Sequence, residues 1–481
     1  MKNCIAVIIV CVIVCSCKTT KDPVAGWQKI EKEFAAGNFQ KVCHLADSLK
    51  QVFSGDTLFV CRLDSLSEMI RRISLDFSLS ETEITNRLQK IMGSFTPEEK
   101  SGWESGNLLE YRIINGEKRY FSRAASNLKL LLAHQQRKGT PITIVIPDET
   151  ARFRIREAQM VMDSSAGSGK PVHPVNIRIR YRITVNPGAV PPGETIRCWM
   201  PFPKESHSRQ QNVKLIRTKP ENHFISPDSA GQRSLYLEQA VESGQAPVFE
   251  LELTYSPSAQ YFSPEKMKIK PYQTGSSLYQ KYTSEERPHI VFTERIRKLS
   301  DSIVGEETRP LEKVRKIFYW IDENIPWAGA LEYSVMPCIP EYVIQNRHGD
   351  CGMQTLLFMT LARYNGIPVR WQSGWMVPPG NVNLHDWCEV YYEGVGWVPL
   401  DMSYGRLPAG DPRVREYYMT GIDAWRLIVN DATGSEFVPA KKFMRSEPVD
   451  FQRGELEWHG GNLYFDQWDY DMEVEYCSAG S

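Results

Sequence analysis

The spacing of the apolar residues changes near residue 170, and this change limits the folds open to the chain. From Trp27 to Lys50 the apolar side chains recur with the period of a helix. Between Val175 and Val185 they alternate with Asn, Arg and Thr, which is typical of a half-buried strand. After residue 280 helical and strand patterns follow one another. This order predicts an α+β chain of several domains.

A helical domain is expected over residues 27–162. The stretch from Trp27 to Lys50 is similar to one helical hairpin of the tetratricopeptide kind, with a break at Gly37-Asn38. No second copy follows, so a repeat array is not supported. We interpret this domain as a scaffold or docking element. The stretch DSSAGSGKP, Asp163 to Pro171, predicts a flexible linker after it.

An antiparallel β-sandwich is expected over residues 172–265. Two further stretches, Thr195 to Pro203 and Val248 to Tyr255, show the strand period and are separated by turn-rich sequence. Arg178, Arg180 and Arg182 share the outer face of the first strand. An acidic partner could bind there, but a solvated strand face is the favoured interpretation.

The third domain, residues 280–481 with a C-terminal β extension, contains a cysteine in an informative position. Cys351 follows His348-Gly349-Asp350 and precedes apolar residues at helical spacing. It is therefore expected at a helix N-terminus, where free N–H groups stabilise a thiolate, lower the thiol pKa and can donate to an oxyanion. A buried structural cysteine is the alternative.

A thiol nucleophile needs a base and a group that orients the base. His385 opens one predicted strand, and Asp401 ends the next. A hairpin of these strands would place the two side chains together and present them to the helix that Cys351 begins. Asp386 is a rival for the acidic role, but as the neighbour of His385 on a strand it should point to the opposite face. Asp401 is therefore preferred.

These motifs together resemble the transglutaminase-like superfamily. The resemblance covers residues 280 to 405 and rests on four motifs in order: Gly349 to Cys351, Gly366 to Arg370, His385 to Trp387, and Trp397 to Asp401. It implies a papain-like α+β core in which Cys351 is the nucleophile, His385 the base and Asp401 its orienter. The resemblance implies no cofactor.

The oxyanion donor has two candidates. The stretch IPWAGA, Ile325 to Ala330, is similar to a segment of animal transglutaminases in which an indole N–H is the donor. That similarity gives the role to Trp327, although a core tryptophan is an equal alternative. The backbone N–H of Cys351 is the other candidate.

The predicted reaction is acyl transfer through a thioester on Cys351. We expect a cell-envelope cysteine hydrolase, a protease or amidase that acts on a peptide or protein substrate. Attack by an amine on the same thioester would instead make the protein a cross-linking transglutaminase. A non-catalytic binding or assembly protein of the envelope is the alternative from another class.

The N-terminal residues predict a lipoprotein signal peptide over residues 1–17. Lys2 precedes the apolar run from Ile5 to Ser16, which is shorter than the roughly 20 residues that span a bilayer. The run ends in VCSC, which resembles the bacterial lipobox and implies lipidation of Cys17. Lys18 follows, not Asp, which favours the outer membrane, facing the periplasm or the surface.

Charge and cysteine spacing exclude some partners. The net charge of −1 gives no reason to expect nucleic acid. The cysteines after Cys17 form no CxxC pair, so a zinc site is not expected. The acidic stretch from Asp466 to Glu475 lacks the spacing of an EF-hand loop. We therefore expect no metal, and the oligomeric state stays open.

Overall fold

The computed structural model describes residues 22–142 and 145–477. The expected signal peptide and the proposed lipidation site at Cys17 lie outside the described residues. The described chain divides into two compact units. The first comprises residues 22–81 and 111–120, and the second comprises the remaining described residues.

The helices are numbered in chain order. They are α1 (Pro23–Ala35), α2 (Phe39–Val52), α3 (Thr57–Asp76), α4 (Glu81–Met92), α5 (Pro97–Ser105), α6 (Ala124–Arg137), α7 (Glu149–Ser165), α8 (Ser277–Thr283), α9 (Glu294–Val304), α10 (Pro310–Asn324), α11 (Ile339–Asn346), α12 (Cys351–Tyr364), α13 (Pro412–Arg415) and α14 (Tyr417–Thr420).

The strands are numbered in the same way. They are β1 (Tyr111–Ile114), β2 (Glu117–Tyr120), β3 (Asn176–Val185), β4 (Thr195–Pro201), β5 (Gln210–Lys219), β6 (His223–Ile225), β7 (Ser234–Ala240), β8 (Val248–Pro257), β9 (Gln260–Tyr261), β10 (Val369–Met376), β11 (Asn383–Tyr392), β12 (Gly396–Leu400), β13 (Gly421–Ile422), β14 (Arg426–Asn430), β15 (Glu455–Trp458), β16 (Gly461–Leu463) and β17 (Trp468–Cys477).

The first unit contains the helical hairpin expected from the N-terminal pattern. Helices α1 and α2 pack together and bury Ile30 and Val42. The turn between them needs Gly37, whose φ is +75° and whose added Cβ would lie 2.1 Å from the Ile113 carbonyl oxygen. Strands β1 and β2 form an antiparallel hairpin in the same unit.

The second unit contains two sheets that share one buried core. Their strand orders are β17-β3-β8-β5 and β16-β15-β4-β7-β6. Tyr181, Trp199, Leu251 and Trp468 are buried between them. The segment expected to form the sandwich supplies most of these strands, whereas β15, β16 and β17 come from residues 455–477. The C-terminal strands therefore complete the sandwich, and the domain ranges 27–162, 172–265 and 280–481 stay predictions.

The arginine face of β3 is occupied by cross-strand ion pairs. Arg178 Nε donates to Glu252 Oε1 at 2.6 Å, and Arg182 Nε donates to Glu250 Oε1 at 2.7 Å. Opposite charges at paired positions on neighbouring strands stabilise a sheet. The basic face is thus explained by its own sheet, and no acidic partner is needed to account for it.

A third sheet, β12-β11-β10-β14, carries the expected site residues. Helix α12 packs against β10 and β11. Strands β10 and β11 pair antiparallel, with Gly374 opposite His385 and Ser373 opposite Asp386. Together with the sandwich and the helices, this sheet confirms the α+β fold class.

The segment expected to be a flexible linker is ordered in the structure. Helix α7 continues to Ser165, beyond the predicted start of the linker at Asp163. Gly169 N then donates to the Tyr261 carbonyl at 3.0 Å, and Val172 N donates to the Ala259 carbonyl at 2.8 Å. Small residues permit this approach, because a Cβ on Gly167 would lie 2.4 Å from the Ser263 Cβ. Composition alone cannot distinguish such docking from flexibility.

Within the described residues, no helix combines the length and the apolar character that a bilayer-spanning segment requires.

Candidate active site

Cys351 is the first residue of α12, as the sequence predicts. The Asp350 side chain caps this helix, because its Oδ1 accepts from Met353 N at 3.1 Å. The preceding turn is held by Gly349, whose N donates to the Pro326 carbonyl at 3.2 Å and whose carbonyl accepts from Ala328 N at 3.1 Å. These bonds place Trp327 beside the start of α12.

His385 and Asp401 also meet as predicted. His385 Nε2 lies 2.8 Å from Asp401 Oδ2, and both side chains are buried. Arg426 extends the pair, with Nη1 at 2.8 Å from the same oxygen and Nη2 donating to Asp423 Oδ2 at 2.8 Å. The Tyr404 ring packs on the imidazole, with centroids 4.8 Å apart. The result is a buried His–Asp–Arg–Asp chain.

Burial and charge set the protonation of this chain. Burial lowers the pKa of His385 below its usual value, although Asp401 acts in the opposite direction. The imidazole is therefore neutral at pH 7. Burial alone would raise the pKa of Asp401, but His385 and Arg426 hold it below the ordinary range. Asp401 is therefore ionised.

No hydrogen bond joins Cys351 to His385 in the part of the chain that the structure describes. Among the described side chains, the hydrogen-bond partner of the thiol is Asp386, whose Oδ2 lies 3.3 Å from Cys351 Sγ. Neighbouring residues of a strand point to opposite faces. Asp386 thus faces α12, whereas His385 faces Asp401 and Tyr404. That β11 and β12 present His385 and Asp401 to the helix start stays a prediction.

The thiol of Cys351 differs from the sequence expectation in its protonation as well. Burial raises its pKa well above the usual value, and the carboxyl groups of Asp386 and Asp350 raise it further. The expectation of a lowered pKa at the helix N-terminus is therefore wrong for this structure. The helix N-terminus stabilises a thiolate, but desolvation and the two nearby carboxyl groups disfavour it more strongly.

A cleft of about 200 Å³ opens beside Cys351 and is bordered by Trp327, Tyr333 and Asp386. Trp327 is 46% exposed, so it is not a core tryptophan. This position is compatible with the expected oxyanion role, which stays a prediction.

Several side chains of the cleft carry no signal in the local sequence. Tyr333 Oη donates to Asp350 Oδ1 at 2.5 Å. Gln452 Nε2 donates to Asp386 Oδ1 at 2.8 Å and to the His385 carbonyl at 2.9 Å. Asp450 borders the cleft from the same loop as Gln452. Only the capping position of Asp350 could have been recognised from sequence, since acidic residues favour helix N-caps.

Gly352 explains how these groups approach the helix start so closely. A Cβ at this position would lie 2.2 Å from Tyr333 Oη and 2.7 Å from Asp386 Oδ2. The residue after the cysteine must therefore lack a side chain if the phenol and the carboxyl are to cover the first turn of α12.

The described residues contain no group of three or more His, Cys, Asp or Glu side chains arranged to hold a metal ion. The described cysteines, including Cys43 and Cys61, are free thiols.

Comparisons with known proteins find two uncharacterized relatives with partial coverage. An uncharacterized protein of Haemophilus influenzae is 28% identical over 142 residues, which cover 24% of this chain and 38% of that protein. The uncharacterized protein YebA of Bacillus subtilis is 23% identical over 131 residues, which cover 23% of this chain and 18% of YebA. The chain thus spans well under half the length of either relative.

Several solved structures were also matched, among them the following two. A proposed cysteine protease from Cytophaga hutchinsonii has a TM-score of 0.44 at 17% identity, with 64% of this chain and 92% of that chain covered. The periplasmic domain of TgpA from Pseudomonas aeruginosa, bound to ethylmercury, has a TM-score of 0.25 at 15% identity, with 55% and 97% covered.

The family comparison matches residues 297–402, the segment that contains α12 and strands β10 to β12, to the model of the transglutaminase-like superfamily. Residues 297–402 thus form a core of the transglutaminase-like kind.

Proposed function

We propose that the protein is a cysteine hydrolase that cleaves peptide or peptide-like amides through a thioester on Cys351. The observation that carries the proposal is the position of Cys351 at the first residue of α12, at the edge of an open cleft. A residue at this place has backbone N–H groups nearby that are not used within the helix. Those groups can stabilise the oxyanion that forms when the sulfur attacks a carbonyl.

In the proposed reaction the Cys351 sulfur forms a bond to the substrate carbonyl carbon, and the C–N bond then breaks. The leaving amine takes a proton, and water cleaves the thioester to release an acid and restore the thiol. We assign the proton transfers to His385, oriented by Asp401, on the strength of the family motifs. In the resting structure the thiol contacts Asp386. The sulfur must therefore leave Asp386 before His385 can act on it, since catalytic hydrogen bonds often form only in the substrate complex.

Solvent access favours hydrolysis over amine transfer. Trp327, at the edge of the cleft, is nearly half exposed, so water can reach a thioester on Cys351. Cross-linking would require the cleft to favour an amine over water as the group that attacks the thioester. A cross-linking transglutaminase is therefore the second candidate function.

The experiment compares the wild-type protein with its Cys351→Ala variant on a library of peptide amides, with and without a primary amine. We expect free acid products from the wild type only, and little change on adding the amine. Amide products in excess of acid would show amine transfer instead. Equal turnover by Cys351→Ala would overturn the assignment of the nucleophile.

The alternative of a binding or assembly protein predicts a different result. Such a protein would retain peptide affinity in Cys351→Ala and form no acyl-enzyme in the wild type. Intact mass spectrometry after mixing with an activated ester tests this directly. A mass increase on the Cys351 peptide supports the enzyme, and its absence at saturating ester supports the binding protein.

We further propose that Cys17 carries lipid and holds the protein at the cell envelope, on the outer membrane. The VCSC motif supports this proposal. Labelling of the full chain with an alkyne fatty acid in a bacterial host tests it, with Cys17→Ser as the control. Equal labelling of the two chains would refute the site.

A further inference from the structure

The groups that surround the Cys351 sulfur suggest how its reactivity is controlled. The sulfur donates to Asp386 Oδ2 at 3.3 Å, and the other oxygen of that carboxyl is fixed by Gln452 Nε2 at 2.8 Å. Asp386 is only 2% exposed, so solvent does little to screen its charge. Gln452 is in turn anchored, because its N donates to Glu447 Oε2 at 2.7 Å and its carbonyl accepts from Trp375 Nε1 at 3.0 Å. The acceptor of the thiol proton is therefore held rigidly from a separate loop.

From these contacts we propose that Asp386 is a positioning residue that keeps the Cys351 thiol protonated and directed at its own carboxyl until substrate binds. This control concerns the nucleophile of the proposed function and rests on that function for its role in turnover. The state of the thiol can nevertheless be measured without any substrate.

Electrostatics at the cleft act in the same direction. A negative carboxylate beside a thiol disfavours the thiolate by like-charge repulsion. Burial and the carboxyls of Asp450 and Asp350 raise the pKa of Asp386 well above its usual value, and burial and Asp386 raise the pKa of the Cys351 thiol. Loss of a proton from either group is therefore disfavoured while the two are in contact. The other titratable and charged groups that line the cleft are Asp350, Tyr333, Glu332, Asp450, Glu447, Tyr470, Arg453 and Arg123.

The two cationic groups do not neutralise Asp386. Arg453 donates to Glu447 Oε1 at 2.6 Å and to both carboxylate oxygens of Glu332, at 3.0 and 2.7 Å. Arg123 is exposed to solvent. The carboxyl of Asp386 is therefore bonded to the thiol and to a neutral amide, and to no cation among the described residues.

Asp386→Asn tests the proposal, because asparagine keeps the size of the side chain and can donate an N–H to a thiolate. The assay is the pH dependence of alkylation of Cys351 by iodoacetamide, followed by mass spectrometry of the Cys351 peptide. The inflection should move to lower pH in the variant. Each unit of that shift should raise the rate at pH 7 about three- to fourfold, since tenfold more thiolate is partly offset by lower nucleophilicity.

Two controls separate this effect from damage to the fold. Asp469→Asn removes a carboxyl from the exposed face of β17 and should leave the profile of Cys351 unchanged. The buried thiols of Cys198 and Cys388 should stay unlabelled in every folded variant.

The wild type supplies a second test that needs no variant. Its Cys351 should be alkylated with an inflection at higher pH than a free cysteine peptide. An inflection at or below that of the peptide would overturn the proposal, as would an unchanged or slower Asp386→Asn. Failure of the proposed function is recognised separately, since it appears as amide cleavage by Cys351→Ala.

Discussion

Replacement of Asp401 by Asn should destabilise the second unit strongly. The carboxylate is fully buried, and its Oδ2 lies 2.8 Å from both His385 Nε2 and Arg426 Nη1. Its Oδ1 accepts from Tyr404 N at 2.9 Å. Asparagine can retain the bond to Tyr404, but it leaves Arg426 with one carboxylate, Asp423, in place of two.

The size of the effect follows from these contacts. Removal of one partner from a buried ion pair costs about 3–5 kcal/mol, because a buried charge is left unpaired. Since Asp423 still pairs with Arg426 in the variant, we expect the lower end, about 3 kcal/mol. The folded-state pKa of Asp401 lies below its ordinary value. Its stabilisation is therefore fully present above pH ~4 and is lost as pH falls through the lower folded value.

Urea unfolding at pH 7 measures this quantity. The free energy of unfolding of Asp401→Asn should fall by about 3 kcal/mol relative to the wild type. Asp469→Asn, which removes the same charge from an exposed strand position, should change it by no more than about 0.5 kcal/mol. A loss below about 1 kcal/mol for Asp401→Asn would show that the buried chain does not act as described.

Three further substitutions have distinct outcomes. Gly352→Ala should lower stability by about 1–3 kcal/mol in urea unfolding, because its Cβ would meet Tyr333 and Asp386; an unchanged midpoint would contradict the close approach. Burial raises the pKa of Asp350 to about 6 in the folded state. The free energy of unfolding therefore falls as pH rises from about 4, the unfolded pKa, through the folded pKa. Asp350→Asn, which still caps a helix, should therefore gain more in melting temperature over the wild type at pH 8 than at pH 4, where the wild-type carboxyl is still largely protonated in the folded state; equal gains at the two pH values would contradict the shift. If the Trp327 indole N–H is the oxyanion donor, Trp327→Phe should lower kcat about 10²–10³-fold with little change in KM, and an unchanged kcat would assign the role to the backbone.

The sequence predicted the parts of the site that depend on local pattern. An acidic residue before an apolar helical run placed Cys351 at the start of α12, and two strands ending near each other brought His385 to Asp401. It was harder to predict which face of β11 packs against helix α12. The sequence shows that Asp386 and His385 point to opposite faces, but not which face receives the helix. That choice depends on packing between α12 and the sheet, which no local motif encodes.

Long-range partners were missed for the same reason. Gln452 reaches Asp386 from a loop 66 positions further along the chain, and nothing in its own neighbourhood marks it. The acidic stretch from Asp466 to Glu475 carries no signal for the strand that it pairs with. β17 pairs with β3, and β15 pairs with β4, both of which lie far earlier in the chain. The thiol pKa was misjudged because the helix position was visible in the sequence while the two carboxyl neighbours were not.

The pairing of β17 with β3 has a consequence for the order of assembly. Cys477 lies opposite Asn176 and Trp468 opposite Val185, so the ladder joins segments about 300 residues apart. Contacts of such sequence separation form late and slow the folding of a domain. Until β17 is in place, one edge of β3 has no partner strand. The sandwich therefore cannot be completed before the last described strand of the chain has joined it.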